Sequence, residues 1–138
     1  MSPFRLDGRT ALVTGGASGI GESTCRALAG AGAAVIIADV DRGRAEALAA
    51  ELPGSAILLF DITDEPAVRD VFAKLERLDI LVNNAGVGLV GNIEETELLD
   101  FERLLRVNVT GMFLTTQAAM PKLLETRGCI VNIASVAG

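Results

Sequence analysis

The chain has 138 residues, half of them hydrophobic, which is enough for one domain with a real core and too short for two. Its net charge of −6, with no run of Lys and Arg, argues against a nucleic-acid partner. With no histidine and two cysteines, the chain offers neither a set of metal ligands nor a disulfide framework, so no metal is expected.

Short apolar runs alternate with segments of helical period along the whole chain, and this pattern predicts an α/β fold with a parallel sheet. Each run is apolar throughout instead of alternating with polar residues, as expected when helices cover both faces of the sheet. The predicted strands are residues 11–13, 34–38, 56–60, 78–82 and 129–134.

Three helices are predicted in the first half of the chain. The first covers residues 20–31 and ends where glycines allow the chain to turn. Asp41 is the expected N-cap of the second helix, which ends at a Pro-Gly pair. Thr63 or Asp64 caps the third helix, which has Pro66 in its first turn.

A longer helix is predicted over residues 96–125. Its apolar residues recur at helical spacing and define one face. We expect Pro121 to kink the last turns, because proline cannot donate a main-chain hydrogen bond. The apolar face carries Leu98, Phe101, Leu105, Val109 and Met112.

The two cysteines are expected to be buried, reduced thiols, since Cys25 lies in a helical pattern and Cys129 opens an apolar run. No apolar stretch reaches the length of about 18 residues that a membrane span needs. Residues 1–10 lack the apolar core of a signal peptide. We therefore expect a cytoplasmic protein without a membrane partner.

A glycine-rich turn, Gly15-x-x-x-Gly19-x-Gly21, separates the first strand from the first helix. Glycine gives this turn its φ freedom, and bare backbone lets a pyrophosphate approach N–H groups at the positive end of the helix. Ser18 and Ile20 lie inside the turn and are expected to contact the same group. Other strand-to-helix turns are also rich in glycine, so the prediction needs supporting context.

Asp39 supplies that context, because it ends the second strand 18 residues past Gly21. A carboxylate at this position can accept hydrogen bonds from the ribose hydroxyls of adenosine. Its charge would repel a 2′-phosphate, so NAD is predicted over NADP, although Arg42 nearby leaves NADP open. A P-loop for ATP or GTP is excluded, because the turn does not end in Gly-Lys-Ser/Thr.

Four motifs follow one another over essentially the whole chain: Thr14-Gly15-x-x-x-Gly19-x-Gly21, Asp61-Ile62, Asn83-Asn84-Ala85-Gly86, and Asn108 with Ser135 in Ile133-Ala134-Ser135-Val136-Ala137-Gly138. Together they resemble the short-chain dehydrogenases/reductases in their NAD-preferring, single-domain form. The resemblance implies a doubly wound Rossmann-type sheet of order 3-2-1-4-5 in the part present. It also implies an oxidoreductase that transfers a hydride between NAD(H) and a secondary alcohol or ketone.

The resemblance further assigns a place around the cofactor to each motif residue. Asp61 and the main chain of Ile62 would hold the adenine ring, with Val107 near the adenine or its ribose. Asn84 and Gly86 would line the cofactor beside the nicotinamide ribose.

By the same resemblance, Ser135 would hydrogen-bond the substrate oxygen, and the carbonyl of Asn108 would hold a water of the proton relay. The residues alone leave other interpretations open. Ser135 could simply end a strand, and Asn108 could bond within its own helix. Asn83 is expected to tie neighbouring strands together, and Val87, Gly88 and Leu89 are expected to form part of the substrate-pocket wall.

The Tyr-x-x-x-Lys motif of the family is absent, and the chain has no tyrosine at all. Reduction of a carbonyl needs a proton delivered to the oxygen, and no histidine or suitably placed lysine can deliver it here. We therefore expect the chain alone to be inactive. It is interpreted as one domain, residues 1–138, truncated after the fifth strand.

The fifth strand would then form a bare apolar edge. The complete protein is expected to be a homo-oligomer, a dimer or a tetramer. Two alternatives remain open: a naturally short homologue, and a non-catalytic NAD-binding or assembly module that needs a partner chain.

Overall fold

The computed structural model describes residues 3–135, in which strands and helices alternate. The strands are β1 (Thr10–Thr14), β2 (Ala34–Asp39), β3 (Ala56–Leu59), β4 (Ile80–Asn83) and β5 (Cys129–Asn132). The helices are α1 (Gly19–Gly30), α2 (Arg42–Glu51), α3 (Glu65–Ala73), α4 (Leu98–Leu105) and α5 (Met112–Thr126), with a π-helical segment (Arg106–Gly111) between the last two.

The five strands form one sheet in the order β3-β2-β1-β4-β5, with every neighbouring pair parallel. This arrangement confirms the predicted doubly wound, Rossmann-like sheet. The central strand β1 pairs on both sides, so that Val13 lies opposite Ile37 of β2 and Val82 of β4. Because all the strands run the same way, the loops that follow them meet at one edge of the sheet.

Helices cover both faces of the sheet, and successive strand residues point to opposite faces. Val13 belongs to a buried cluster with Cys25 of α1 and Leu48 of α2. Its neighbour Leu12 belongs to a second cluster on the other face, with Phe72 of α3. The sheet therefore has an apolar core on each side.

Two predicted helix caps are present. The Oδ1 atom of Asp41 accepts the main-chain N–H of Arg44 at 3.0 Å, which confirms it as the N-cap of α2. Of the two candidates at α3, Asp64 is the cap, since its Oδ1 atom accepts the N–H of Ala67 at 3.1 Å. Each cap gives a partner to one of the N–H groups that a helix start leaves unpaired.

The long helix differs from its prediction in two respects. A kink was predicted at Pro121, but α5 continues through Pro121 to Thr126. The helix departs from α-helical geometry earlier, in the π-helical segment. The predicted apolar face is largely exposed, with Leu98 68% and Val109 58% accessible. The face that contacts the sheet instead carries Thr115, Ala119 and Leu123 at four-residue spacing.

The fifth strand is shorter than predicted, since it ends at Asn132. Cys129 is exposed, so the prediction of a buried thiol was wrong for this residue and right for Cys25. The reason is position: in the described part of the chain β5 pairs only with β4, and three of its four residues are exposed. Within residues 3–135, no helix combines the length and apolar character needed to cross a membrane.

Candidate functional site

The glycine-rich turn after β1 is shaped by close main-chain contacts. Gly15 has φ +60°, a conformation that favours glycine, and a Cβ atom there would lie 2.9 Å from the Cα of Ala85. Gly21, in the first turn of α1, has no room for a side chain, because its Cβ would overlap the carbonyl oxygen of Gly15. The turn is therefore in close contact with both α1 and the loop after β4.

Gly19 differs from these two glycines. Its φ is also positive, +55°, but a Cβ atom there would meet no atom within 4 Å. Ser18, the N-cap of α1, makes no side-chain capping bond, and the first bond onto the helix runs from the N–H of Glu22 to the carbonyl of Ser18 at 3.2 Å. The N–H groups of the first turn, including that of Ile20, therefore remain available to an anion.

The thiol of Cys25 lies beneath the turn, where its Sγ atom donates to the carbonyl of Gly16 at 3.6 Å. Burial, together with the nearby charges of Glu22 and Asp39, raises the pKa of this thiol to about 11. The thiol is therefore neutral at pH 7. It supports the turn and has little character of a nucleophile.

The carboxylate of Asp39 is fixed at the end of β2 by two main-chain donors. Its Oδ2 atom accepts the N–H of Ala17 at 3.0 Å, and its Oδ1 atom accepts the N–H of Asp41 at 3.0 Å. Arg42, the cation that the sequence places nearby, donates to Glu46 at 3.3 Å. The turn and the end of β2 are thus joined through one negative charge.

Asn84 and Thr14 join the loop after β4 to the same turn. The Nδ2 atom of Asn84 donates to the carbonyls of Thr14 and Gly15, both at 3.1 Å. The Oγ1 atom of Thr14 accepts the N–H groups of Asn84 and Ala85, both at 3.0 Å. Thr14 stands first in the predicted motif, where it was given no role of its own. The structure shows that its hydroxyl connects the two loops.

Asn83 ties β4 to β5 and α5, as the sequence led us to expect. Its Nδ2 atom donates to Oδ1 of Asn132 at 3.0 Å and to Oγ1 of Thr116 at 2.9 Å. Its Oδ1 atom accepts the hydroxyl of Thr115 at 2.8 Å. Asn83 and Thr115 are buried, so these bonds satisfy polar groups inside the fold.

Asp61 and Ile62 follow β3 on the other side of the sheet edge. The Oδ1 atom of Asp61 accepts both the N–H and the hydroxyl of Thr63, each at 2.8 Å. Ile62 contacts the π-helical segment, since a Cβ atom at Gly111 would lie 2.5 Å from its Cδ1. Gly111 was not predicted to be a site residue. The only sign of its role in the sequence is a glycine inside a predicted helix, which usually has a packing reason.

Asn108 lies in the π-helical segment, and its side chain reaches the loop after β4. Its Oδ1 atom accepts the N–H of Val87 at 2.8 Å, and its Nδ2 atom donates to the carbonyl of Val87 at 2.8 Å. The side chain is therefore not occupied within its own helix. Short π-helical turns are frequent at functional sites. The role expected of the Asn108 carbonyl stays a prediction.

These elements surround a cleft of about 560 Å³ at the carboxyl ends of the strands, a size typical of small-molecule sites. Four predicted site residues, Gly19, Gly21, Asn108 and Ser135, are not among those that line it. The other predicted residues are brought together there. They are Gly15, Ser18, Ile20, Asp39, Asp61, Ile62, Asn84, Gly86 and Val107.

Two arginines that the sequence analysis did not single out also line the cleft. Arg103 lies in the last turn of α4, and Arg106 opens the π-helical segment. Their three-residue spacing, directly before Val107 and Asn108, was the available signal, because residues so spaced on a helix share a face. Among residues 3–135, no three His, Cys, Asp or Glu side chains form a group that could hold a metal ion.

Ser135 is exposed and lies three residues past the end of β5. A main-chain bond from the N–H of Ile133 to the carbonyl of Asn83, 3.0 Å long, extends the pairing of β4 and β5 towards it. Ser135 therefore follows its strand at the same edge of the sheet as the cleft. The last three residues of its predicted motif, Val136, Ala137 and Gly138, lie outside the described residues.

The sequence of this chain matches known proteins along nearly its whole length. A family model described as short chain dehydrogenase matches residues 9–138. Meso-2,3-butanediol dehydrogenase of Serratia marcescens is 39% identical over 141 residues, which cover 98% of this chain and 56% of that relative. 3-beta-hydroxysteroid dehydrogenase of Comamonas testosteroni is 42% identical over 137 residues, covering 96% of this chain and 54% of the relative.

The fold has equally close counterparts among solved structures. The crystal structure of gox2181 matches with a TM-score of 0.92 and 35% identity, over 98% of this chain and 56% of that chain. The chain thus spans about half the length of the curated relatives it matches. With the family model covering nearly all of its residues and the sheet order in agreement, the chain belongs to the short-chain dehydrogenase family.

Proposed function

We propose that the cleft binds NAD(H), with the pyrophosphate on the turn between β1 and α1. The observation that carries this proposal is the open space in front of Gly19, beside helix N–H groups that no side chain caps. A diphosphate is the anion that such a surface accommodates, since a bare backbone lets its oxygens reach the N–H donors. The adenosine part would extend towards Asp39 and Asp61, which line the same cleft.

The carboxylate of Asp39 favours NAD over NADP. Two main-chain N–H groups fix it at the cleft, so a 2′-phosphate placed there would face a negative charge that cannot turn away. Ribose hydroxyls can instead donate to its remaining lone pairs. Arg42 does not reverse this preference, because it already donates to Glu46.

The parent protein is proposed to interconvert a secondary alcohol and a ketone. Bound NAD supplies a nicotinamide ring that accepts or returns the hydride. The hydroxyl of Ser135 would hydrogen-bond the substrate oxygen, and Asn108 would hold the loop around Val87 in place beside it. Two relatives support this reaction class, since they are named for 2,3-butanediol and a 3-hydroxysteroid, both of which carry secondary alcohols.

The proton of this reaction needs a donor and acceptor that the chain does not contain. It has neither tyrosine nor histidine, and neither of its two lysines, Lys74 and Lys122, lines the cleft. We therefore propose that these 138 residues bind the cofactor without turning it over. The acid-base residues would come from elsewhere in the parent protein.

A second candidate is a cofactor-binding module that acts together with another chain. The exposed apolar side chains of the β5 region favour it, because Val131 is 44% and Ile133 38% accessible. Measuring the turnover of the full-length product of the gene distinguishes the two candidates. A product with alcohol dehydrogenase activity of its own supports the first, and one that stays inactive until a partner is added supports the second.

Fluorescence titration with NADH and NADPH tests the cofactor assignment. We expect the chain to bind NADH at least about tenfold more tightly than NADPH, which corresponds to about 1.4 kcal/mol. Asp39→Asn should weaken NADH binding and reduce the preference, because the variant no longer repels a 2′-phosphate. Asp70→Asn is the control, because it removes one negative charge from an exposed position on α3. It should leave both affinities unchanged.

The assignment fails if the wild-type chain binds neither cofactor, or if it prefers NADPH. A separate assay tests the absence of turnover. The chain is mixed with NAD⁺ and butane-2,3-diol, and NADH absorbance is followed. Steady formation of NADH would contradict the proposal that the acid-base residues lie outside these 138 residues.

A further inference from the structure

The charges of this chain oppose the ligand that its cleft is proposed to hold. The formal net charge is −6, and two carboxylates, Asp39 and Asp61, line the cleft itself. A dinucleotide brings two phosphate charges to this negative surface. Main-chain N–H groups at α1 offer hydrogen bonds but only a partial positive charge. A local source of positive charge would make association faster and tighter.

Arg103 and Arg106 are in a position to supply it. Of the described residues that line the cleft, these two are the only cations. Both side chains are exposed, and within residues 3–135 neither is part of an ion pair. Arg42 and Arg69, by contrast, are each paired with a glutamate on their own helix. The two positive charges that face the cleft are thus not neutralised by an ion pair within residues 3–135.

We propose that Arg103 and Arg106 form an electrostatic recruiting pair that draws the phosphate groups of the cofactor into the cleft. This inference rests on the proposed function, because it concerns the same site and its anionic ligand. The two arginines attract the phosphates through solvent, without direct contact. The effect on affinity is therefore largest at low ionic strength and falls as salt screens the attraction. It should act on any adenine nucleotide that carries phosphates, and not on adenosine.

The test compares the wild-type chain with Arg103→Gln/Arg106→Gln, which removes both charges and keeps side chains of similar length. Arg5→Gln/Arg69→Gln is the matched control, since it removes two exposed charges that do not line the cleft. The ligands are NADH, ADP and adenosine. Affinities are measured at low and at high ionic strength, and thermal melting shows that each variant is folded.

We expect the cleft variant to bind NADH and ADP about fivefold more weakly than wild type at an ionic strength of about 0.01 M, and less than about twofold more weakly at about 0.5 M. Adenosine should bind equally well to both proteins. The control variant should lose clearly less affinity at low salt, because its charges lie further from the ligand.

Three results would overturn the inference. Equal NADH affinity of wild type and the cleft variant at low salt would show that the arginines do not recruit the ligand. An equal loss of adenosine and ADP affinity would show that they act by contact with the adenine and not by charge. An equal loss in the control variant would show an effect of net charge alone. Failure of wild type to bind any of the ligands would instead overturn the proposed function, and the inference with it.

Discussion

The side-chain amide of Asn108 and the main chain of Val87 are joined by two hydrogen bonds, each 2.8 Å long and running in opposite directions. They connect the π-helical segment to the loop after β4, which Asn84 connects in turn to the glycine-rich turn. The π-helical segment, the loop after β4 and the glycine-rich turn are therefore fixed relative to one another by side-chain amides. Only asparagine, with one acceptor and one donor group at this reach, can make both bonds to Val87.

Replacing Asn108 should therefore loosen the cleft. We expect Asn108→Ala to lower the free energy of unfolding by about 1–3 kcal/mol, because the N–H and carbonyl of Val87 lose their partners in a half-buried place. NADH affinity should fall as well, since Val87 lines the cleft. Asn108→Asp keeps the acceptor but sets an oxygen against the Val87 carbonyl, so it should not restore either property. Urea unfolding and NADH titration measure the two effects.

Asn92→Ala is the control for this prediction. Asn92 lies in the same connection between β4 and α4, and its Oδ1 atom accepts the N–H groups of Glu94 and Glu95, both at 3.0 Å. These bonds are exposed, so the variant should lose less than about 1 kcal/mol and keep its NADH affinity. Full stability of Asn108→Asp would show that the donor half of the Val87 pair is unimportant.

Gly19 and Gly54 form a matched pair for testing the pyrophosphate site. Both have positive φ, +55° and +82°, and a Cβ atom at either would meet no atom within 4 Å. Substitution by alanine should therefore cost each a similar amount of stability, about 1–2 kcal/mol, from backbone conformation alone. Gly19→Ala should also reduce NADH affinity severely, because its methyl group would occupy the space in front of the helix N–H groups. Gly54→Ala should bind NADH as wild type does.

Calorimetric unfolding and NADH titration of the two variants distinguish the outcomes. Similar losses of stability with a loss of binding only at Gly19 support the site. Unchanged binding by a folded Gly19→Ala variant would move the pyrophosphate away from this turn.

The fold could largely be predicted because its signals are local. Buried strands are continuous apolar runs, and an aspartate before a helix caps it, as Asp41 and Asp64 do. The residues predicted to bind the cofactor also stand in short motifs, and most of them line one cleft. Such motifs can be recognised from consecutive residues alone, without knowledge of tertiary contacts.

The remaining features depend on contacts between distant residues. The π-helical segment occurs where Gly111 contacts Ile62 and where Asn108 reaches Val87, pairs separated by tens of residues in sequence. The exposure of Cys129 depends on which strands stand beside β5. The long helix has apolar residues on more than one side, and period alone does not tell which side meets the sheet.

The two cysteines should differ in reactivity. In the folded chain we expect iodoacetamide to modify Cys129, which is exposed, and to leave Cys25 unmodified at pH 8. Cys25 is buried under the turn, and its pKa is raised to about 11, so very little thiolate is present. Mass spectrometry of the labelled peptides gives the extent at each site. Rapid labelling of Cys25 before unfolding would mean that the turn opens easily, and added NADH should then slow it.

Asp79 should make stability depend on pH. Its buried carboxylate accepts from Arg77 at 2.7 and 2.8 Å, from Arg9 at 3.0 Å and from the N–H of Thr10 at 2.9 Å, at the ends of the strands opposite the cleft. These bonds, those of Arg77 first, hold its pKa well below its usual range. A carboxyl whose pKa is lower in the folded than in the unfolded chain stabilises the fold fully above the unfolded value of about 4. Its contribution is lost progressively as the pH falls below that value.

Asp79→Asn should therefore cost about 2–4 kcal/mol at pH 7, because the charge is removed and an amide N–H faces donors. Between pH 7 and pH 3 the difference between wild type and variant should shrink by about 1 kcal/mol, as the wild-type unfolded state takes up its proton first. Urea unfolding at both pH values measures this change. Asp70→Asn, which breaks an exposed pair with Lys74, should cost at most about 0.5 kcal/mol at either pH. A difference between wild type and Asp79→Asn that is the same at both pH values would show that Asp79 acts by packing and not by charge.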